Sequence, residues 1–149
     1  MKILLQRAAR AEVAVGGETI ARIGRGVLLL VGFGREDGDE NAPPDLARAA
    51  EKIAQLRIFP DEHGKLMHSL RDTGGAALAV PQFTLHGSAR KGRRPDFTAA
   101  LAPAQAEARF HEFLAQLRQA QLAHVEAGRF GADMQVTLVG DGPFTLMLE

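Results

Sequence analysis

Apolar and polar positions first follow an extended pattern. Lys2 to Ala8 and Ala11 to Val15 read as strands, and Gly16-Gly17 supplies the positive φ that a two-residue hairpin turn requires. Glu18 to Ile23 is the return strand. Gly24-Arg25-Gly26 then opens a continuous apolar run, Val27 to Val31, that suits a buried strand. A polar stretch, Arg35 to Asn41, leads into a helix with Asn41 or Asp39 as its expected N-cap. Pro43-Pro44 falls where missing N–H groups cost nothing. Leu46, Ala49, Ala50, Ile53 and Leu56 repeat at helical spacing and give that helix one apolar face.

Beyond it, Arg57-Ile58-Phe59 reads as a short strand, Pro60 to Gly64 as a turn, and Ala76 to Leu85 as a second buried strand. A second helix starts near Pro103, with Ala106, Phe110, Phe113, Leu114 and Leu117 facing inward. Strands return at Leu122 to Glu126, Met134 to Val139 and Pro143 to Leu148, the last two joined by an expected tight turn at Gly140-Asp141-Gly142. The pattern predicts one α/β domain over residues 1–149. Its sheet is mixed and mostly antiparallel, or a barrel-like β core, with two main helices.

Composition narrows the chemistry. Hydrophobic residues make up 46% of the 149 positions, enough for a core that needs neither disulfides nor a structural metal. There is no cysteine, which excludes a thiol nucleophile and a cysteine zinc site. No apolar run approaches a bilayer's thickness and the N-terminus lacks a signal-peptide core, so a cytoplasmic location is expected. Lys plus Arg and Asp plus Glu are both 18, so RNA would have to be met by a local patch. Arg90, Lys91, Arg93 and Arg94 form the obvious one.

Generic signatures fail. In Gly32-Phe33-Gly34 the third glycine of a dinucleotide loop is replaced by Asp37, and no Walker-type lysine follows a glycine run. His63, His68, His86, His111 and His124 show no paired metal-ligand spacing; Asp61, Glu62, His63 and His68 read as a solvated turn. Arg90 breaks the nucleophile-elbow pattern after Gly87-Ser88-Ala89. Neither a metal nor a cofactor is expected.

Two segments remain. In Val80-Pro81-Gln82-Phe83-Thr84-Leu85 a proline interrupts a buried strand, which demands an edge or a bulge, and a bulge can aim backbone N–H groups into a pocket. Alternatively, Gln82 and Thr84 only satisfy local backbone groups. Gly140-Asp141-Gly142-Pro143-Phe144-Thr145 is by itself a reverse turn, although a Gly-Pro bond can also be cis.

Together these segments resemble the D-aminoacyl-tRNA deacylases, whose pattern is a Ser-Gln-Phe-Thr strand motif and a later Asn-x-Gly-Pro-Val-Thr motif. The first is matched at Gln82, Phe83, Thr84 and Leu85, the second at Gly142, Pro143 and Thr145. Gln6-Arg7, Arg57-Ile58-Phe59, Lys91-Gly92 with Arg94-Pro95, Gly128-Arg129-Phe130 and Asp133-Met134-Gln135-Val136 follow in family order, so the resemblance runs end to end. It implies a homodimer acting on aminoacyl-tRNA, with sites at the subunit interface. In that arrangement Gly142 and Pro143 enter the partner's site and exclude L side chains, and Arg7 braces them. Gln82, Phe83 and Thr84 line the catalytic pocket, their backbone N–H groups polarising the ester carbonyl. Phe130 and Met134 hold the terminal adenosine, whose 2′-hydroxyl helps activate water. Arg90, Lys91, Arg93 and Arg94 meet tRNA phosphates.

Three positions depart from the pattern: Pro81 replaces the serine, Phe144 the valine and Gly140 the asparagine. Pro-Gln also resembles the related L-alanyl-tRNA deacylases of animals, whereas Phe83 and Arg7 follow the D-type pattern. The expectation is release of D-amino acids and glycine. L-alanyl specificity and a tRNA-binding module without catalysis are the alternatives.

Overall fold

β1 (Lys2–Val15) organises the computed structural model, which describes residues 1–90 and 92–149. The two extended runs expected at the N-terminus are one strand of 14 residues. Along one edge, its first half pairs antiparallel with β3 (Gly26–Gly32) and its second half with β2 (Glu18–Ile23). Along the other edge it pairs with β8 (Gln135–Leu148) over most of its length. β6 (Ala76–Pro81) adds parallel to β3, and β7 (His124–Ala127) parallel to β6, so the order is β2-β1-β3-β6-β7 with β8 on β1. β2 curls back against β6 and β7, which leaves the mixed sheet nearly closed. The hairpin turn at Gly16 and Gly17 has φ of +59° and +85°, the positive pair that a primed turn uses.

Both faces of the sheet are buried along β3 and β6, which explains their uninterrupted apolar runs. On one face Ile3, Leu5, Val27, Leu29, Ala77 and Ala79 meet two helices, α1 (Leu46–Gln55) and α2 (Pro103–Gln119), through Ile53, Phe110, Phe113 and Leu117. Ala8, Val13, Ile23, Leu28, Leu78 and Val80 form a second cluster on the other face. Phe110 and Phe113 are fully buried and each contributes about 1.5–3 kcal/mol. Gly26 permits the parallel pairing, since a Cβ there would lie 1.9 Å from the Ala76 carbonyl oxygen.

Four expectations are corrected. The N-cap of α1 is Asp45, whose carboxylate accepts the Arg48 N–H at 2.9 Å; Asp39 instead accepts from Asn41, and Pro43-Pro44 lies before the cap. The strand at Arg57-Ile58-Phe59 is shifted to β4 (Phe59–Pro60), which forms a separate hairpin with β5 (Leu66–His68). The strand from Ala76 ends at Pro81, because Pro81 has no donor and Gln82 N–H closes the ladder on Val31 O at 2.7 Å; Phe83–His86 then form a 3-10 turn. Finally, Gly140-Asp141-Gly142 does not join two strands, because β8 runs straight through it as β1's single long partner.

Candidate active site

The break in the β1–β8 register builds the first part of the site. Gln6 pairs with Thr145 and Ala8 with Gly140, so Asp141, Gly142, Pro143 and Phe144 all stand opposite the single residue Arg7. Four residues against one must bulge from the sheet. Glycine suits the crowded point: Gly142 has φ +135°, and a Cβ there would lie 2.8 Å from Phe144 N and 3.1 Å from Arg7 Nη2. The Gly142-Pro143 bond is cis.

Arg7 fills the space behind the bulge and is 8% exposed. Its Nε donates to Asp141 O at 2.9 Å and its Nη1 to Ile58 O at 2.6 Å. The Asp141 carboxylate lies 3.1 Å from Nε, and the guanidinium carbon stands 5.2 Å from the Phe144 ring centroid. A planar guanidinium with several fixed donors can hold two carbonyls and a carboxylate together. Gly142 and Pro143 are themselves exposed.

The second part is a cleft of about 920 Å³ between the end of β6, the start of α2 and the 130–136 segment. Pro81, Gln82 and Phe83 line it together with Phe130 and Met134, so sequence positions far apart meet there. Phe83 is 55% exposed and rests edge-on against Phe97, with ring centroids 5.2 Å apart. Thr84 is not a lining residue; its hydroxyl is hydrogen-bonded to the Gln82 side-chain amide. The Gln82 N–H is consumed by Val31, whereas the Phe83 and Thr84 N–H groups open the 3-10 turn and donate to no protein group among the described residues. Those two donors are the ones free to meet a developing oxyanion. His86 anchors the turn from beneath, buried, with Nε2 3.3 Å from Gly32 O.

Arg7, Gly142 and Pro143 do not line this cleft, so within one chain the two halves of the expected site stand apart. Arg90, Arg93 and Arg94 do not line it either. They are exposed on a loop whose base is tied by reciprocal Ser88–Asp96 backbone bonds of 2.8 Å, and Lys91 lies outside the described residues. The Asp96 carboxyl is held below the usual carboxylate range, chiefly by hydrogen bonds from Thr98.

Sequence reasoning missed Arg35, Gly38, Phe97, Thr98 and Gln105, all of which line the cleft. The one available signal was Phe97, an aromatic within a polar stretch. In the sequence Asp37 stands out only as the residue that breaks a dinucleotide loop. It is buried, accepts the Gly34 N–H at 2.7 Å, and its backbone carbonyl accepts Arg109 Nε at 3.2 Å, fixing the turn that carries Arg35 and Gly38.

A sequence profile of the D-Tyr-tRNA(Tyr) deacylases matches residues 4–149. The chain belongs to that family. It is 51% identical over 149 residues to the D-aminoacyl-tRNA deacylase of Chloroherpeton thalassium, covering 100% of this chain and 95% of the relative. The D-aminoacyl-tRNA deacylase of Halalkalibacterium halodurans is 50% identical over 149 residues, with 100% and 99% covered. A solved structure of the c-Myc DNA unwinding element binding protein is 43% identical, superposes with a TM-score of 0.88, and is matched over 98% of its chain by 100% of this one. Among the described residues the cleft lining has one hydroxyl side chain, Thr98, and no serine, cysteine, histidine or carboxylate.

Proposed function

We propose that this chain, a D-aminoacyl-tRNA deacylase by family, hydrolyses the ester between a D-amino acid or glycine and the 3′-terminal adenosine of tRNA. Water adds to the ester carbonyl, the acyl C–O bond to the ribose breaks, and the proton from water passes to the departing ribose oxygen. The Phe83 and Thr84 N–H groups stabilise the negative charge on the carbonyl oxygen. Phe130 and Met134 receive the adenosine, whose 2′-hydroxyl helps activate the water. Gln82 and the Thr84 hydroxyl brace the turn. Arg90, Arg93 and Arg94, which stand outside the cleft, meet tRNA phosphates together with Lys91, and the enzyme acts in the cytoplasm.

The observation that carries the chiral part of this reading is the separation of Gly142-Pro143 from its own chain's cleft. The reading completes each cleft with the Gly142-Pro143 unit of a second copy, in a homodimer. An unpaired outer edge supports it: among the described residues β8 pairs only with β1, and it exposes Val136, Val139 and Met147. A long apolar edge of this kind favours association with another chain. Backbone carbonyls of the entering Gly-Pro unit would fix the substrate's amino group and leave no room for an L side chain. A D side chain or a glycine hydrogen points away.

Deacylation of D-aminoacyl-, glycyl- and L-alanyl-tRNA by the same preparation tests the reading. The first two should be hydrolysed much faster than the third. L-alanine released faster than any D-residue would shift the assignment to L-alanyl specificity, which Pro81 at the cleft wall would favour. Protection of every charged tRNA without hydrolysis would make the chain a binding module.

A further inference from the structure

Arg35 is the one charged side chain among the described residues lining the cleft. The rest of the wall is neutral and largely apolar, with Pro81, Phe83, Phe97, Phe130 and Met134 prominent. Such a surface suits an adenine ring and an acyl group, neither of which needs a guanidinium. A cation set there is nevertheless held in place. Arg35 N–H donates to Ala99 O at 3.0 Å, Gly34 bridges to Ala100, and Leu101 N–H donates to Phe33 O at 3.0 Å. Asp37 secures the same turn from behind. These bonds fix the backbone of Arg35 while its side chain stays exposed.

Among the described residues the guanidinium is not committed to a carboxylate. No acidic group lies within ion-pairing distance of Arg35 among the described residues. Asp96 feels its charge only as a minor influence behind the Thr98 hydrogen bonds. Glu36, Asp37, Asp39 and Glu40 follow in sequence, yet none lines the cleft. Asp37 is turned toward the Met1 ammonium, which it meets at 2.7 Å. A positive charge with no ion-pair partner among the described residues, on the wall of a neutral cleft, suits an anionic part in the ligand.

Given the proposed function, on which this inference rests, the ligand's acyl-adenosine end is neutral apart from its ammonium group. Its nearest anion is the phosphodiester linking the last two nucleotides. We propose that Arg35 binds this phosphodiester, positioning the RNA end in the cleft. Arg35 is thereby a binding residue for the RNA strand rather than for the amino acid, distinct from the loop of Arg90, Arg93 and Arg94 outside the cleft. Guanidinium and phosphate oxygens match in geometry, and the contact reads no base.

The test uses the full chain, with Arg35→Gln to remove the charge and Arg35→Lys to keep it. The substrates are a D-aminoacyl-tRNA and the same D-aminoacyl ester on free adenosine, which lacks the phosphodiester. Arg35→Gln should raise KM for the tRNA roughly tenfold with kcat nearly unchanged. It should also reduce the slope of log KM against log salt by about 0.7, one single-strand phosphate contact. Hydrolysis of the adenosine ester should be unaffected, and Arg35→Lys should recover part of the tRNA KM. A wild-type KM and salt slope in Arg35→Gln would overturn the assignment while leaving the deacylase reading intact. Equal losses on the tRNA and the adenosine ester would overturn it too, placing Arg35 against the acyl group or the fold. If the wild-type chain hydrolyses no aminoacyl-tRNA, the proposed function falls and this assignment with it.

Discussion

Replacing Arg7 by methionine keeps much of the side chain's apolar length and removes every donor. In the wild type two donors are committed to carbonyls, Ile58 O at 2.6 Å and Asp141 O at 2.9 Å, beneath a side chain 9% exposed. Each bond involves a charged group and is worth about 1.5–3 kcal/mol. The Asp141 carboxylate is 41% exposed, so solvent screening limits its ion pair to about 1 kcal/mol or less. Stacking on Phe144 adds roughly 0.5–1 kcal/mol. Against these stands relief from burying a cation, which returns part of the sum. The net loss should be about 3 kcal/mol, lowering Tm by roughly 6–12 °C for a chain of this size. Thermal unfolding followed by circular dichroism measures that loss, and deacylation of D-aminoacyl-tRNA should fall at least tenfold in the same variant. Arg7→Lys should recover little, because one ammonium does not reproduce the planar fork. A Tm within about 2 °C of wild type together with unchanged kcat/KM would refute the view that Arg7 holds the bulge.

Gly142→Ala should unfold at lower urea, by about 1–3 kcal/mol, because its φ is +135° and the added Cβ meets the Phe144 backbone; full activity at unchanged stability would contradict this. If the chain forms the proposed homodimer, mixing Phe83→Pro, which lacks the N–H, with Gly142→Ala protomers by joint refolding should restore about a quarter of wild-type activity, since each heterodimer would rebuild one complete site. Absence of recovery would mean that Gly142-Pro143 serves its own chain. The Asp72 carboxyl is held below its ordinary 3.8 by hydrogen bonds from the Ser69 N–H and hydroxyl. A depressed carboxyl contributes stability that is present above its unfolded value and is lost as pH falls through the folded one. The urea midpoint should therefore decline below about pH 4, and Asp72→Asn should flatten that decline; an identical pH profile would exclude the contribution.

Elements defined by a local signal were legible in the sequence. Gly16-Gly17 marked its hairpin, and Leu46 to Ile53 and Ala106 to Leu117 marked the inner faces of α1 and α2. Gln82 and Phe83 were found from an odd polar-proline segment, and Phe130 and Met134 from family resemblance; the structure brings these four to one cleft. What stayed hidden depends on partners distant in sequence. Gly140-Asp141-Gly142 has the composition of a turn, and only β1 running alongside makes it a bulge within one strand. The strand end at Pro81 was misjudged because the residues after it remain apolar enough for burial; the bond from Gln82 to Val31 decides where the ladder stops. Arg35 is one charge in a polar stretch, and its place on the cleft wall comes from pairing with Ala99 and Ala100.

The pairing of β1 with β8 also bears on how the protein is made. More than a hundred residues separate the two strands, and synthesis at ordinary rates needs roughly ten seconds to cover them. During that interval β1 can close with β2 and β3 and Arg7 can reach Ile58, while the opposite edge of β1 waits on the nascent chain and Arg7 lacks its Asp141 partner. The strand that closes the fold is also the one that presents the Gly-Pro unit, so a chain would gain its proposed capacity to discriminate substrates only when that last seam is sealed.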